Sequence, residues 1–404
     1  MSNTASILGT SGAINRGGKV RTVPALPLTQ RLKYYTTALT IQRFILPPLV
    51  AFSEFKNYYF DPNFPNLVKT CPSRPDLPIR VFYPPNYKPS SDSPKLPCLL
   101  TIHGGGFVLG HAHDNDGWNR AFVTKNPQFM TVALSYRKAP ASPFPAPITE
   151  DLAPLIPLVL DDIDLRIDKS KVAIAGWSAG GNLSLSVSQH PAIRPLIKAA
   201  IPLYPIVDWV PPQDVKSQTR RYKPSLGGFR AKDKDFLLAL SGLFNWAYVS
   251  AGQDCMDPFL SPIYAQREHL PKNVFMVGCE MDMLGQEAWR MICGLAGRRV
   301  PLIEEVIGRE AIVGHGELIT EGDERYSWEE FDESDGTRYK WLLVPDQVHG
   351  FDQDSIGNFA VGDGEMLRDA RAKRDKVIGK LGEWLVSVFE GEFQAGQEGC
   401  GDNE

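Results

Sequence analysis

The sequence lacks several features that would place it in a specialised class of proteins. Its six cysteines are scattered along 404 residues and form no CxxC pair. It has no run of basic residues, and its formal net charge of −4 gives no electrostatic case for binding nucleic acid. Scattered cysteines without metal-binding spacing are typical of free thiols in a reducing compartment. We therefore expect a cytoplasmic protein without nucleic-acid partners.

Long apolar runs are also missing. The N-terminal residues 1–20 are polar and lack the basic start and apolar run of a secretory signal. The most apolar early stretch, residues 38–52, is too short to span a bilayer and contains Arg43, Pro47 and Pro48. We expect this stretch to form a helix followed by a break and to pack on the body of the protein, without stable membrane insertion. Contact with a membrane surface is the alternative.

What the sequence does contain is an alternation of strand and helix patterns. Short apolar runs predict strands, and segments with helical spacing lie between several of them. The predicted strands cover 79–85, 129–137, 171–177, 199–205, 273–280 and 339–345, with a further apolar run at 97–107 that is broken by three glycines, and the predicted helices cover 148–163, 180–190, 287–299 and 366–392. This alternation predicts an α/β fold with a mostly parallel, doubly wound sheet flanked by helices.

Three segments interrupt this alternation. They are residues 1–60, residues 206–260 and the acidic, polar insert 300–338. Connections of this length usually form lids or binding loops. They divide the predicted core into two parts, 61–205 and 261–390, and the polar tail 391–404 is expected to be disordered.

One serine stands between a predicted strand and a predicted helix in the sequence GWSAG, residues 176–180. G-x-S-x-G in this position is the nucleophile elbow of the α/β-hydrolases. The turn is so tight that a Cβ at Gly176 or Gly180 would collide, and Ser178 must tolerate a strained backbone. The turn also aims the amide N–H of Ala179 at the oxygen that gains charge during acyl transfer.

A glycine run, HGGGF at residues 103–107, follows a predicted strand and lies 75 residues before Ser178. Glycines allow backbone N–H groups to approach a substrate closely. Gly104 and Gly105 are therefore the expected remaining donors of an oxyanion hole.

A nucleophilic serine requires a base, and in this fold the acid and then the histidine follow the serine along the chain. Four histidines lie after Ser178: His190, His269, His315 and His349. His349 directly follows the strand 339–345, at the end of the sheet where active-site loops gather. We therefore predict His349 as the base, with His315 in the polar insert as the alternative.

The orienting acid is expected at the end of a strand between the serine and the base. Asp282 follows the strand 273–280 in this way, and Glu280 is the nearby alternative. Asp254 and Asp257 precede that strand and fit less well.

Metal-ligand types cluster in one short sequence, HAHDND at residues 111–116. We interpret it as a polar loop after the glycine run. The predicted chemistry uses no metal and no organic cofactor.

The motifs HGGGF, SYRKAPASPFPAPITED, GWSAGGN, SPIYA, DML and VHGF resemble those of the hormone-sensitive-lipase-like esterases, and the resemblance runs from about residue 79 to 385. The resemblance implies a triad of Ser178, Asp282 and His349 and an oxyanion hole of Gly104, Gly105 and Ala179. It also implies a helical cap made of residues 1–60 and part of 206–260. The implied activity is hydrolysis of carboxylic esters of small hydrophobic or natural-product substrates through an acyl-enzyme.

The sequence departs from this family in two places. Trp177 stands where members commonly have Asp, so we predict a substrate-binding ring there, together with Phe107 and Trp209. The insert 300–338 lengthens the interval between Asp282 and His349, and with the long N-terminus it is similar to fungal members used in specialised metabolism.

Alternatives to simple hydrolysis stay open. The same triad serves transacylation, deacylation or cyclisation in a pathway enzyme, and some relatives of this fold are non-catalytic small-molecule receptors. A homodimer is also left open. Aromatic residues in the cap segments predict a compact pocket and a preference for acyl chains of about two to six carbons, because a methylene that collides costs more than it contributes.

Overall fold

A single sheet of nine strands organises the residues that the computed structural model describes, which are 21–308, 316–353 and 364–398. The strands are β1 (Leu67–Cys71), β2 (Arg74–Phe82), β3 (Leu96–Ile102), β4 (Met130–Leu134), β5 (Ile167–Trp177), β6 (Ala199–Leu203), β7 (Asn273–Cys279), β8 (Ser327–Asp332) and β9 (Thr337–Val344). Their order is β1-β2-β4-β3-β5-β6-β7-β9-β8. The six central strands β4, β3, β5, β6, β7 and β9 pair in parallel. The pairs at the two edges, β1–β2, β2–β4 and β8–β9, are antiparallel. The predicted α/β fold with a mostly parallel sheet is confirmed.

Helices cover both faces of this sheet. They are α1 (Leu28–Thr40), α2 (Leu46–Phe60), α3 (Asp116–Lys125), α4 (Ala153–Asp161), α5 (Ala179–Ser188), α6 (Gln213–Ser217), α7 (Leu237–Tyr248), α8 (Gly285–Leu295) and α9 (Gly364–Glu398). Alternate residues of β5 face opposite ways: Val172 and Ile174 join the cluster of α4, α5 and α8, whereas Ala173 and Ala175 join that of α3 and α9. A strand buried on both faces reads as a continuous apolar run, which is why β5 was recognisable in the sequence.

The N-terminal helices differ from the prediction in two ways. Pro47 and Pro48 lie in the first turn of α2, where the missing N–H costs nothing, so they start a helix instead of breaking one. A short π-helical turn, Ile41–Ile45, joins α1 to α2. The predicted packing on the body holds in part: Ala38, the one buried residue between positions 28 and 60, joins the main core, and Gln42 donates hydrogen bonds to the carbonyl oxygens of Val108 and Ala139. The described part of the chain contains no helix both long and apolar enough to cross a membrane.

The polar insert is not a loop throughout. Its residues 327–332 form β8, which pairs with β9 and extends the sheet at its edge. Residues 309–315, with the alternative base His315, lie outside the described residues. At the other end of the chain, α9 continues to Glu398 and so enters the segment 391–404 for which we predict disorder; residues 399–404 are outside the described residues.

Candidate active site

The predicted elbow is a sharp turn between β5 and α5. Ser178 is the single residue between them and has φ +55°, a left-handed conformation that L side chains rarely adopt. A Cβ on Gly176 would collide with the carbonyl oxygen of Gly180, and a Cβ on Gly180 would collide with the carbonyl oxygen of Ile102. The two glycines are therefore required by the close approach of the backbone, and the strain at Ser178 is held by the packing around it.

The glycine run lies directly beside the serine. A Cβ on Gly104 would stand 3.0 Å from the carbonyl oxygen of Trp177 and 3.4 Å from the Cβ of Ser178. Gly105 has φ +103°, which favours glycine, and its carbonyl oxygen accepts a hydrogen bond of 2.8 Å from the N–H of Leu109. The loop is thus fixed by its own hydrogen bonds next to Ser178.

His349 and Asp282 form a buried pair. His349 Nδ1 lies 2.7 Å from Asp282 Oδ2, and both side chains are almost completely shielded from solvent. The other carboxylate oxygen of Asp282 accepts a hydrogen bond of 2.9 Å from the N–H of Leu284. Because an ionised carboxylate only accepts, Nδ1 carries the proton and Nε2 is the nitrogen with a free lone pair.

Two further buried carboxylates surround this pair, and the sequence did not single them out. Asp235, just before α7, accepts a hydrogen bond from the N–H of Met283, beside Asp282. Asp352 accepts hydrogen bonds from the hydroxyl of Tyr204 and from the indole of Trp177. Asp352 follows His349 by three positions, which is a signal the sequence offers. Asp235 is distant along the chain and offers none.

These charges set the protonation of His349. Burial by itself lowers the pKa of the imidazole, but the charge and hydrogen bond of Asp282 outweigh it, and Asp235 and Asp352 add to their effect. The pKa of His349 is raised above its usual value as a result. For Asp235, burial and then the charge of Asp282 raise the pKa to about 6.

The alternative acid, Glu280, lies in a different cluster. Its carboxylate contacts the ammonium of Lys223 at 2.9 Å and also accepts hydrogen bonds from the hydroxyl of Tyr326 and the N–H of Asp346. The hydrogen bond to His349 is made by Asp282.

A cavity of about 330 Å³ opens above the serine. Ser178, His349 and the three predicted oxyanion donors, Gly104, Gly105 and Ala179, all line it. Its opposite wall consists mostly of apolar side chains of the 206–260 segment, among them Trp209, Phe236, Leu237, Leu240 and Phe244. The cavity is at the small end of the range for ligand pockets.

Comparison with known proteins identifies the family. Residues 99–307, more than half of the chain, match the family described as the alpha/beta hydrolase fold. The chain belongs to this family. The match includes the glycine run, the elbow and Asp282.

Curated relatives of this alpha/beta hydrolase carry esterase names. It is 37% identical over 114 residues to the carboxylesterase NlhH of Mycobacterium tuberculosis, a match that spans 28% of this chain and only 34% of that protein. It is 29% identical over 259 residues to an ethyl acetate hydrolase of Pseudomonas putida, covering 61% of this chain and 75% of that one. An esterase structure from Pyrobaculum calidifontis superposes with a TM-score of 0.58 at 21% identity, over 90% of this chain and 99% of that one. The structural likeness establishes the fold.

Two of the three predicted substrate-binding residues of the hydrolase line the cavity. Phe107, with φ +64°, stacks on Tyr248 with ring centroids 3.7 Å apart. The ring centroid of Trp209 lies 5.8 Å from that of Phe107, and both Phe107 and Trp209 line the cavity. The segment that carries the glycines thus also provides one aromatic wall of the cavity.

The prediction that Trp177 lines the pocket is wrong. Its side chain is fully buried on the face of α3 and α9, where it packs edge-on against Trp118 with ring centroids 5.0 Å apart. The reason is strand alternation: Trp177 shares a face with Ala173 and Ala175, and the cavity opens above the end of the strand. Trp177 reaches the site only through its hydrogen bond to Asp352.

The motif HAHDND joins the site more closely than a polar loop would. Asp114 lines the cavity, and His111 and His113 meet Glu54 of α2. The contact with Glu54 depends on residues far apart in the sequence, so the sequence alone did not reveal it.

Proposed function

We propose that this chain is a serine hydrolase that cleaves carboxylic esters through an acyl-enzyme. The observation that carries the proposal is the arrangement at one cavity: Ser178 on a strained turn, His349 lining the same cavity, and the 2.7 Å contact between His349 Nδ1 and Asp282. A strained serine beside an oriented imidazole is what nucleophilic acyl transfer requires.

In the proposed reaction, Nε2 of His349 takes the proton of Ser178 as the serine oxygen attacks the ester carbonyl. Asp282 keeps the proton on Nδ1 and stabilises the imidazolium that forms. The imidazolium then gives its proton to the leaving alcohol, and the acyl group stays on Ser178. Water, deprotonated by the same imidazole, releases the acid and restores the serine.

The N–H groups of Gly104, Gly105 and Ala179 bind the carbonyl oxygen as it becomes negative. Each such donor is worth roughly 3–4 kcal/mol of transition-state stabilisation. Ala179 begins α5, so the helix N-terminus adds a favourable dipole at the same place. The strained φ of Ser178 is the cost of placing the nucleophile and this donor side by side.

The substrate class that we propose is small hydrophobic esters with short acyl chains. The support is the limited cavity volume of about 330 Å³ and its apolar wall. Segments 21–60 and 206–260 act as the cap in this proposal, since α7 lines the cavity and α1 contacts α7 through Tyr34 and Trp246, with ring centroids 5.9 Å apart.

The esterase names of the matched relatives support the reaction class. The fungal-type assignment, a role in specialised metabolism, the cytoplasmic location and a homodimer stay predictions from the sequence.

The test is a series of p-nitrophenyl esters of increasing acyl length with purified protein and with Ser178→Ala. We expect wild-type rates to be highest at about two to six carbons, and Ser178→Ala to lose activity while keeping the circular dichroism spectrum. An unchanged rate for Ser178→Ala contradicts the proposal. Rates that rise through twelve or sixteen carbons contradict the short-chain substrate class alone. An inactive wild-type protein that binds the esters favours the receptor alternative.

A further inference from the structure

Three potential metal ligands meet beside the active site. They are Glu54 on α2 and His111 and His113 in the segment between the glycine run and α3, and their ligand atoms all lie within 4.8 Å of one another. The Nδ1 atoms of the two histidines are 2.6 Å apart, and Glu54 Oε1 is 3.2 Å from His113 Nδ1. Two imidazole nitrogens at this distance share one proton, and a bound cation would replace that proton as the nitrogens move apart.

The surroundings orient these side chains as they would in a metal site. His113 Nε2 lies 3.2 Å from Asp114 Oδ1, so a carboxylate holds the ring and directs Nδ1 toward Glu54. Arg80 Nη1 donates a hydrogen bond of 2.7 Å to the same Glu54 oxygen, Oε1, and so fixes the position of the carboxylate. Metal-ligating histidines almost always have such a partner on their second nitrogen.

We propose that Glu54, His111 and His113 bind a divalent transition metal ion, with Zn²⁺ as the best-fitting ion. Two imidazole nitrogens and one carboxylate oxygen match zinc chemistry, and a water molecule completes a four-coordinate site. His113 is 9% exposed, whereas His111 and Glu54 are about a third exposed, so an ion enters from solvent.

The proposed ion adds a link between two parts of the chain that hydrogen bonds from Gln42 to the carbonyl oxygens of Val108 and Ala139 already join. Glu54 belongs to α2, none of whose residues is buried, whereas His111 and His113 follow the glycine run of the active site. Asp114 lines the cavity, so the same loop that would hold the metal shapes the wall of the pocket. Metal binding would therefore fasten α2 to the loop beside the site, independently of the ester chemistry.

The test uses the metal alone on chelator-treated full-length protein. We expect titration calorimetry to give about one Zn²⁺ per chain, and Co²⁺ to give visible absorption bands of four-coordinate intensity. Asp114→Asn, which leaves the three ligands in place, is expected to weaken binding by about 10–100-fold. His113→Ala and Glu54→Gln are expected to weaken it further, and His269→Ala is the matched control, since His269 precedes β7 at the end of the strands away from the active-site loops.

Circular dichroism of each variant shows that it is folded, and ester hydrolysis is not part of the readout. Absence of stoichiometric Zn²⁺ binding by the wild-type chain overturns the proposal. Binding that His113→Ala and Glu54→Gln leave unchanged overturns it as well, because it places the ion elsewhere.

A different observation supports a second inference, which concerns the exposed side of the N-terminal helices. Between residues 28 and 60, twelve large hydrophobic side chains are 40–77% exposed: Leu28, Leu32, Tyr35, Leu39, Phe44, Ile45, Leu49, Phe52, Phe55, Tyr58, Tyr59 and Phe60. An apolar surface of this extent marks an interaction site. We refer to these twelve side chains as the N-terminal apolar surface.

Its charge indicates the partner. Residues 21–60 contain five basic side chains and one acidic side chain, although the whole chain has a net charge of −4. The basic residues Arg31, Lys33, Arg43 and Lys56 are exposed, and the acid, Glu54, is already paired with Arg80. We infer that the N-terminal apolar surface lies on an anionic lipid bilayer, where apolar and aromatic side chains enter the interface and basic residues contact the headgroups.

The test is sedimentation of full-length protein with vesicles of phosphatidylcholine alone or with about 30% phosphatidylserine. We expect binding to the anionic vesicles that weakens with added salt. Phe44→Asp with Phe52→Asp should lower it at least tenfold, whereas Ile163→Asp, an 82% exposed apolar residue elsewhere, should not. Absence of vesicle binding overturns the inference. A dimer in light scattering that the double variant converts to a monomer also overturns it and assigns the surface to a second copy.

Discussion

At the scale of single residues, the base of the proposed reaction is defined by one hydrogen bond. His349 Nδ1 is held by Asp282, so replacement of His349 removes both proton transfers of the mechanism. We expect His349→Ala to lower kcat by on the order of 10⁴. His315→Ala is the control and should change kcat little. The reverse pattern in steady-state kinetics would show that the base comes from the polar insert.

Asp235 tunes this base without touching the reacting atoms. The neutral imidazole is the active form, so kcat/KM falls as the pH falls through the pKa of His349, which lies above its usual value. Asp235→Asn removes a negative charge that stabilises the imidazolium, and so it lowers this pKa. We expect the acid limb of the pH profile to move to lower pH, with a plateau kcat reduced far less than in His349→Ala.

The pH profile of kcat/KM distinguishes this role from a structural one. Asp233→Asn, an exposed change two positions away, should leave the acid limb where it is. A limb that moves equally in both variants, or that moves to higher pH in Asp235→Asn, would contradict the electrostatic role of Asp235.

At the scale of elements, α7 limits the length of the pocket. The ring of Phe244 lies against Gly106, so closely that a Cβ on this glycine would collide with it, and the same ring lines the cavity. Phe244→Ala should therefore open space for longer acyl chains. Each additional methylene that fits contributes up to about 0.8 kcal/mol, or roughly a fourfold gain in kcat/KM.

The matched control is Trp246→Ala on the same helix, since Trp246 packs on Tyr34 of α1. Measured on the ester series, the optimum should move to longer chains in Phe244→Ala and stay in place in Trp246→Ala. An unchanged optimum in Phe244→Ala would show that another element sets the acyl limit.

At the scale of the whole molecule, buried charges attach the 206–260 segment to the sheet. The ammonium of Lys223 lies between the carboxylates of Glu280, which follows β7, and Asp346, which follows β9. All three side chains are buried, so removal of the cation leaves two carboxylates without this compensation. We expect Lys223→Met to lower the free energy of unfolding by about 3–5 kcal/mol.

Denaturant unfolding of Lys223→Met and of Lys234→Met, an exposed lysine in the same segment, measures this difference. A loss below about 1 kcal/mol for Lys223→Met would show that the buried charges do not hold the segment to the sheet.

The sequence alone determined the features that depend on neighbouring residues. The turn at Ser178 requires glycine at both Gly176 and Gly180, and the glycine run and the loop after β9 follow buried strands that are recognisable as apolar runs. Parallel strands bring their carboxyl ends to one edge, which is why Asp282 and His349 were predicted together and lie together in the fold. Local pattern and topology were sufficient for these residues.

Tertiary structure alone decided the features that depend on distant contacts or on which face a side chain takes. Trp177 was assigned to the pocket from its place beside the serine, but the alternation of β5 buries it on the other face of the sheet. Asp235 reaches Asp282 from a segment 47 positions away, and Glu54 reaches His111 and His113 from another helix. The exposure of α2, none of whose residues is buried, was likewise decided by the tertiary structure, since an apolar segment of this kind is expected to be buried.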